Sequence, residues 1–331
     1  MIKEAIAKVV RGIDLTEVEM EKAMDEIMTG TATPAQIGAF VTALRLKGET
    51  VDEINVEDET ILDTCGTGGD TTNTFNVSTA CAFVAAGAGV NVAKHGNRAV
   101  SSRCGSADVI ENLGVKLDLT SSDVERCIKQ IGIGFLYAPL FHGAMKYAAG
   151  PRQEIGIRTI FNLLGPLTNP AGASVQVIGV YEPALTEKVA YVLKRLGSKE
   201  TFVVCGEGTL DEISICGPTR ISHLKNGEVR TFDLTPEEVG LRRTSPEAIK
   251  GGNAIENAEM IRQILDGQKG ARRDIVLLNA GAAFVVAGLD RVFKEGIERA
   301  KVSIDSGQAK EKLKQLVAFT QQCRPFVRSE L

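Results

Sequence analysis

The pattern of apolar and polar positions changes character near residue 60. Before that point apolar residues recur at helical spacing. Ile2, Ile6, Val9 and Val10 define a first short face. Thr16, with Glu19 three positions on, forms a capping box that opens a stripe of Met20, Met24 and Ile27 and closes at Gly30. The next segment repeats the grammar: Thr33 caps, Pro34 takes the first helical position, Gln36 closes the box, and Ile37, Phe40, Val41 and Leu44 run to Gly48. Thr50 and Glu53 suggest a fourth start. Three or four short helices without a strand leave apolar faces that must pack elsewhere, on the rest of the chain or on a second copy. A homodimer through these helices is therefore expected.

From Thr60 the pattern becomes short apolar runs, each followed by a glycine turn and a helix. Ile61-Leu62, Val90 to Ala93, Phe135 to Tyr137, Val175 to Tyr181 and Phe202 to Val204 read as strands, with helical stretches at Ser78 to Ala86, Ala107 to Leu113 and Val124 to Ile131. Such alternation predicts a largely parallel sheet covered on both faces. Between Ile221 and Phe232, Asn226-Gly227 sits among alternating residues, a hairpin signal that adds an antiparallel edge. Helical spacing returns at Ile255 to Leu265, Ile275 to Val286 and Ala309 to Thr320. The turn-rich segment Gly165 to Gly172 reads as the best internal linker.

Composition narrows the function classes. The chain has 331 residues, which at about 150 per domain suggests two domains and ample material for a core. With 38 basic against 42 acidic residues it offers no bulk attraction to a polyanion, so neither nucleic acid nor an anionic membrane is an expected partner. Its seven cysteines are odd in number, scattered and free of any CxxC pair, as in a reduced, cytoplasmic protein. The longest apolar run, Ile275 to Leu289, is too short to span a bilayer, and Lys3, Glu4 and Lys8 break up any signal-peptide core.

The candidate chemistry lies just after the strands. Gly66, Gly68 and Gly69 follow the first one, and Asn76-Val77-Ser78-Thr79 then opens a helix. Backbone amides turned inward by such a loop, together with those of a helix start, cradle phosphates; the alternative is a merely flexible turn. The loop lacks the Lys of a Walker motif, and Thr71 replaces the third glycine of a dinucleotide fingerprint. After the second strand, Lys94 and Arg98 gather with Ser101, Ser102 and Ser106 where open α/β sheets bind ligands. His95 could act as a base or simply pack. Asp211 and Glu212 follow a later strand side by side, and beside a phosphate site such a pair suits Mg²⁺. His95, His142 and His223 are scattered and do not form a zinc motif.

Six segments in order resemble the anthranilate phosphoribosyltransferase family: Gly66 to Asp70 (GTGGD), Asn76 to Ala80 (NVSTA), Lys94 to Ser102 (KHGNRAVSS), Cys104 to Val109 (CGSADV), Asp211-Glu212, and Arg158 to Ala171 (RTIFNLLGPLTNPA). The resemblance implies a small N-terminal helical domain over residues 1–64, joined by part of 153–172, and a large α/β domain over 65–331 with a mostly parallel central sheet, of the nucleoside phosphorylase and phosphoribosyltransferase kind. It implies Mg²⁺-dependent transfer of phosphoribose from phosphoribosyl pyrophosphate to the amine of anthranilate, in tryptophan biosynthesis, by a homodimer. Carried over by position, Gly66, Gly69, Asp70 and Thr74 hold the pyrophosphate side, and Asn76, Val77, Ser78 and Thr79 continue that cradle. Lys94, His95, Gly96, Asn97, Arg98, Ala99, Val100, Ser101 and Ser102, with Ser106, complete the cosubstrate pocket. Arg152 pairs with the anthranilate carboxylate, with Asn97 nearby. Ser78, Asp211 and Glu212 touch metal, and Lys94 and Asp70 carry the catalytic assignment. The chain departs from the family pattern at Gly143, where the family commonly has Pro, and over Tyr147 to Gly150. A glutamine amidotransferase partner chain is left open.

These residue types suit the reaction. Breaking a glycosidic bond to pyrophosphate builds positive charge on the ribose and negative charge on the leaving group. Amides, Lys94 and Mg²⁺ aimed at that group stabilise the charge as it develops. Two rival readings compete: a pyrimidine nucleoside phosphorylase with a similar glycine loop, and a non-catalytic phosphate-ligand binding protein that would not need the carboxylate pair.

Overall fold

The computed structural model describes residues 1–47, 60–68, 72–99, 104–141, 146–155 and 159–324. The suggested fourth helix start at Thr50 and Glu53 lies outside these residues, as do Gly69, Asp70, Val100, Ser101, Ser102, Gly143 and Arg158.

Helices α1 (Ile2–Val9), α2 (Glu17–Met28) and α3 (Pro34–Lys47) form where the spacing predicts them. Thr16 and Glu19 make the reciprocal capping box. Gln36 and Thr33 do the same at α3, with bonds of 2.8 and 3.3 Å. Their apolar stripes converge on one core of Ile2, Val9, Ile27, Ile37 and Phe40. That core also takes in Ala148 and Phe161 from much later in the chain.

The sheet has seven strands in the order β3-β2-β1-β4-β5-β6-β7. β1 (Leu62–Gly66), β2 (Val92–Gly96), β3 (Ile133–Tyr137), β4 (Val175–Gly179) and β5 (Glu200–Gly206) are parallel neighbours. β6 (Thr219–Lys225) and β7 (Glu228–Leu234) add the antiparallel edge. Asn226 and Gly227, both at positive φ, turn the hairpin as the Asn-Gly signal predicts. The apolar pattern places β1 and β2 too early. Both run on through Asp63, Thr64, Lys94 and His95, which are buried polar residues that an apolar-run criterion passes over.

Between β1 and β2 lies α4 (Val77–Gly87), buried along nearly its whole length. Its small residues, including Ala80, Cys81, Ala85 and Ala86, let it sit between the sheet and the C-terminal helices α12 (Ala271–Val286), α13 (Phe293–Asp305) and α14 (Gln308–Gln322). Around the sheet run α5 (Ser106–Asn112), α6 (Ser121–Ile131), α7 (Ala138–Phe141), α9 (Ile160–Leu167), α10 (Ala184–Arg195) and α11 (Ala254–Leu265), while α8 (Lys146–Ile155) packs on α2 and α3 of the helical bundle.

The turn-rich segment after α9 is not a loose connection. Gln176 Nε2 donates to the Pro166 carbonyl at 2.9 Å, and the ring Nδ1 of His95 is 3.1 Å from that of Gly165. Asn169 Nδ2 reaches Asp63 Oδ2 at 2.8 Å and the Ala93 carbonyl at 2.9 Å. Turn-rich composition predicts a linker, but buried strand side chains fix the segment's backbone groups. α9 itself is apolar all round: Phe161 joins the helical core, while Leu163 joins the core formed by β4, β5 and α10.

Candidate functional site

The strand order reverses between β1 and β4, the position where open α/β sheets leave a crevice beyond their carboxyl ends. Four of the parallel strands end there in glycine: Gly66, Gly96, Gly179 and Gly206. A Cβ on Gly66 or Gly179 would overlap Asp211, and one on Gly206 would lie 2.8 Å from the Glu212 carbonyl. The missing side chains let the segment after β5 cross the strand ends and deliver two carboxylates to the glycine loop. Asn279, buried in α12, holds this crossing from the other side. Its Oδ1 accepts from Ile213 N at 2.8 Å and its Nδ2 donates to the Ile213 carbonyl at 2.9 Å.

The carboxylates meet backbone amides. Asp211 Oδ2 accepts from Gly68 N at 2.8 Å, and Glu212 Oε1 accepts from Ser78 N at 3.0 Å, within the first turn of α4. Lys94, 3% exposed, rises beside them from β2. Its Nζ donates to the Thr64 carbonyl and lies 3.4 Å from Ser78 Oγ. A buried ammonium, two carboxylates and the open end of a helix thus share one small volume. Thr79 Oγ1, fully buried on the same turn, has no hydrogen-bond partner among the described residues.

The rest of the predicted pocket divides in two. Val77 is core, its N–H donating to the Phe75 carbonyl at 2.7 Å. Thr74 bridges to Lys250, and Gly251 N donates to the Asn73 carbonyl at 2.8 Å, so the loop's far end rests on residues 249–252. Gly96 faces Ser106, and the Asn97 carbonyl accepts from Ala107 N at 3.1 Å. Arg98 turns to Asp108 at 3.0 Å and Glu111 at 2.8 Å. Glu111 first, then Asp108, holds its guanidinium protonated well beyond the usual arginine range. Burial alone would raise the Asp108 pKa, but the Ala99 and Gly105 N–H groups and Arg98 outweigh it and hold the carboxyl below the usual range. Arg98 therefore braces the loop between β2 and α5, where the sequence suggested a cation for the ligand. Arg152 lies in α8, whose backbone packs against α3.

Sequence reasoning assigned no role to Asp63, Asn169, Asn279 or Asn257. All four are polar residues placed by tertiary structure, and only Asn253-Ala254, a helix cap after Gly251-Gly252, hinted that residues 249–257 form a built junction. Among the described residues no three or more His, Cys, Asp or Glu side chains form a closed metal cage. A carboxylate pair at the start of a helix instead suits Mg²⁺, which takes one or two carboxylates and keeps phosphate oxygens and waters.

Comparison with known proteins agrees with this geometry. Residues 58–310 match the glycosyl transferase family a/b domain and residues 3–55 its helical bundle domain. An anthranilate phosphoribosyltransferase from Geotalea uraniireducens is 55% identical, covering 97% of this chain and 99% of the relative. This chain belongs to the anthranilate phosphoribosyltransferase family. The family enzyme of Thermus thermophilus superposes with a TM-score of 0.89 at 43% identity, covering 96% of this chain and 99% of that one. That of Saccharomyces cerevisiae, solved in complex with PRPP and Mg, does so with 0.86 at 29% identity, covering 97% and 98%. Family membership thus extends over both the helical and the α/β parts. Among the described residues no helix is long and apolar enough to cross a membrane.

Proposed function

We propose that the chain transfers phosphoribose from phosphoribosyl pyrophosphate to the amine of anthranilate, giving N-(phosphoribosyl)anthranilate and pyrophosphate, with the crevice beyond β1, β2 and β4 as its active site. The observation that carries this reading is the delivery of Asp211 and Glu212 onto the amides of Gly68 and Ser78. Each carboxylate oxygen marks a place where a backbone N–H donates to an oxyanion. Pyrophosphate oxygens taking over those amides would release both carboxylates to Mg²⁺, with Ser78 adjoining. When bound, the metal supplies charge neutralisation at the leaving group.

Lys94 stands at the same point and stabilises charge that develops on the departing pyrophosphate. The nucleophile is an aromatic amine that already has a lone pair, so a strong general base is not required. Asp70 with Gly69, and Val100, Ser101 and Ser102 opposite, complete the cosubstrate pocket in this reading. The helical domain comprises α1–α3 with part of 153–172, a division supported by their shared core with Phe161, whereas Leu62, Asp63 and Thr64, which the expected boundary at residue 64 gave to it, belong to β1 and the sheet. Exposed Val10 and Val18 on that domain suit a homodimer contact. The test is pyrophosphate release that requires both Mg²⁺ and anthranilate. Phosphorolysis of thymidine without that release would replace this reading.

Three variants probe the assignments. Glu212→Gln keeps an oxygen for Ser78 N while removing the charge, and Asp211→Asn does the same for Gly68. Both should stay folded and require more Mg²⁺ for half-maximal rate; full activity at limiting Mg²⁺ would remove the metal assignment. Arg152→Ala should cost about 2–4 kcal/mol of transition-state binding if its guanidinium pairs with the anthranilate carboxylate. The loss should fall on the KM for anthranilate, because a contact remote from the breaking bond is alike in ground and transition states. An equal rise for both substrates would place the carboxylate site elsewhere.

A further inference from the structure

Asn76 stands at the N-cap of α4, yet its side chain does not cap the helix. Its Oδ1 is engaged elsewhere, accepting from Asn257 Nδ2 at 3.0 Å. Asn257, on α11 and 2% exposed, in turn accepts at its own Oδ1 from Gly252 N at 2.7 Å. A backbone N–H can only donate, so the Gly252 amide fixes which end of the Asn257 carboxamide faces it. The NH₂ end must then face Asn76, and this fixes the Asn76 carboxamide the same way. Cys104 Sγ lies 3.7 Å from the same Asn76 oxygen, and burial, reinforced by Asp108, pushes that thiol up to about 11, so near neutral pH it too is a donor.

The anchor is itself rigid. Gly252 follows Gly251, which sits so close to Phe75 that a Cβ would lie 2.7 Å from the Phe75 nitrogen. Asn253 and Glu256 cap α11 immediately after. The donor at the head of the chain therefore cannot swing away without undocking residues 249–252 from the glycine loop.

We propose that Asn257 is a positioning residue that sets the polarity of Asn76, so that the amide nitrogen of Asn76, and not its oxygen, is offered to the phosphoribosyl pyrophosphate. This rests on the active site assigned above. The order runs from Gly252 N–H to Asn257 Oδ1, and from Asn257 Nδ2–H to Asn76 Oδ1. The group left at half-exposed Asn76 is an NH₂, two donors beside an anion cradle. Removing the Asn76 oxygen from the helix end also keeps it from competing with the ligand for the first amides of α4.

Asn257→Asp tests the polarity at nearly constant shape. Either aspartate oxygen satisfies Gly252 N–H, but the other can only accept, so Asn76 must turn its NH₂ inward and its oxygen toward the ligand. Exchanging a charge-assisted hydrogen bond for a repulsive contact should raise the KM for phosphoribosyl pyrophosphate about tenfold to a hundredfold, leaving the KM for anthranilate within about twofold. The new carboxylate could act through charge alone, and a double-mutant cycle with Asn76→Ala separates the two effects. The penalty of Asn257→Asp should collapse in the Asn76→Ala background. An equal penalty in both backgrounds, or no penalty in the wild-type background, overturns the proposal. Should the aspartate variant fail to fold, Asn257→Ser in the same cycle carries the test, with coupling to Asn76 as the required result. Absence of transferase activity in the wild-type chain would count against the assigned reaction; an active wild type with an uncoupled pair counts against the positioning role.

Discussion

Lys94→Met should lower kcat/KM by about 10²–10³-fold, the usual loss when one preorganised donor to a developing anion is removed. Methionine keeps an unbranched apolar stem in a slot that leaves the lysine only 3% exposed, so packing changes little. What disappears is the ammonium held between the Thr64 carbonyl and Ser78 Oγ. The Thr64 carbonyl then lacks its donor, which costs about 1–3 kcal/mol, while loss of a buried cation relieves desolvation in the opposite sense. Thermal stability should therefore move far less than turnover. Steady-state kinetics alongside a melting curve checks both, and a variant within threefold of wild-type kcat/KM would show that Lys94 is structural.

Gly179→Ala should be nearly as damaging although it adds a single methyl group. That Cβ would fall on the backbone of Asp211, which has no softer side chain there to yield. Relief requires lifting the segment after β5. Overpacking of this kind costs about 1–3 kcal/mol in stability. It also draws Asp211 away from Gly68, and misplacement of a positioned group by about 1 Å can cost about 10²-fold in rate. Gly165→Ala is the matched control, since a Cβ at Gly165 meets nothing within 4 Å among the described residues. Raised Mg²⁺ demand in Gly179→Ala but not in the control is the expected pattern; equal activity of the two would mean that the crossing adapts.

Much of this architecture is readable from the chain. Capping boxes at Thr16 and Thr33 and the Asn226-Gly227 turn are local, and local chemistry decides them. The strand ends are less legible, because β1 and β2 continue through Asp63, Thr64, Lys94 and His95, whose polarity is compensated by partners far along the chain. Asn257 meets Asn76 across 181 residues, and Asn279 meets Ile213 across 66. No periodicity encodes such pairs. Arg98 shows a different limit: its place in the loop is legible, but its pairing with Asp108 and Glu111 on the following helix is not. α10 and α13 were passed over for another reason. Each interrupts its apolar positions with charged residues, so neither forms an apolar run.

α9 has a mechanical consequence. With Phe161 seated among the N-terminal helices, Leu163 seated against β4 and β5, and its last carbonyls pinned by His95 and Gln176, this helix is a shared wall between two bodies. A wall of this kind belongs to both bodies at once, so neither can shift against the other without carrying α9 along or breaking its contacts with His95 and Gln176.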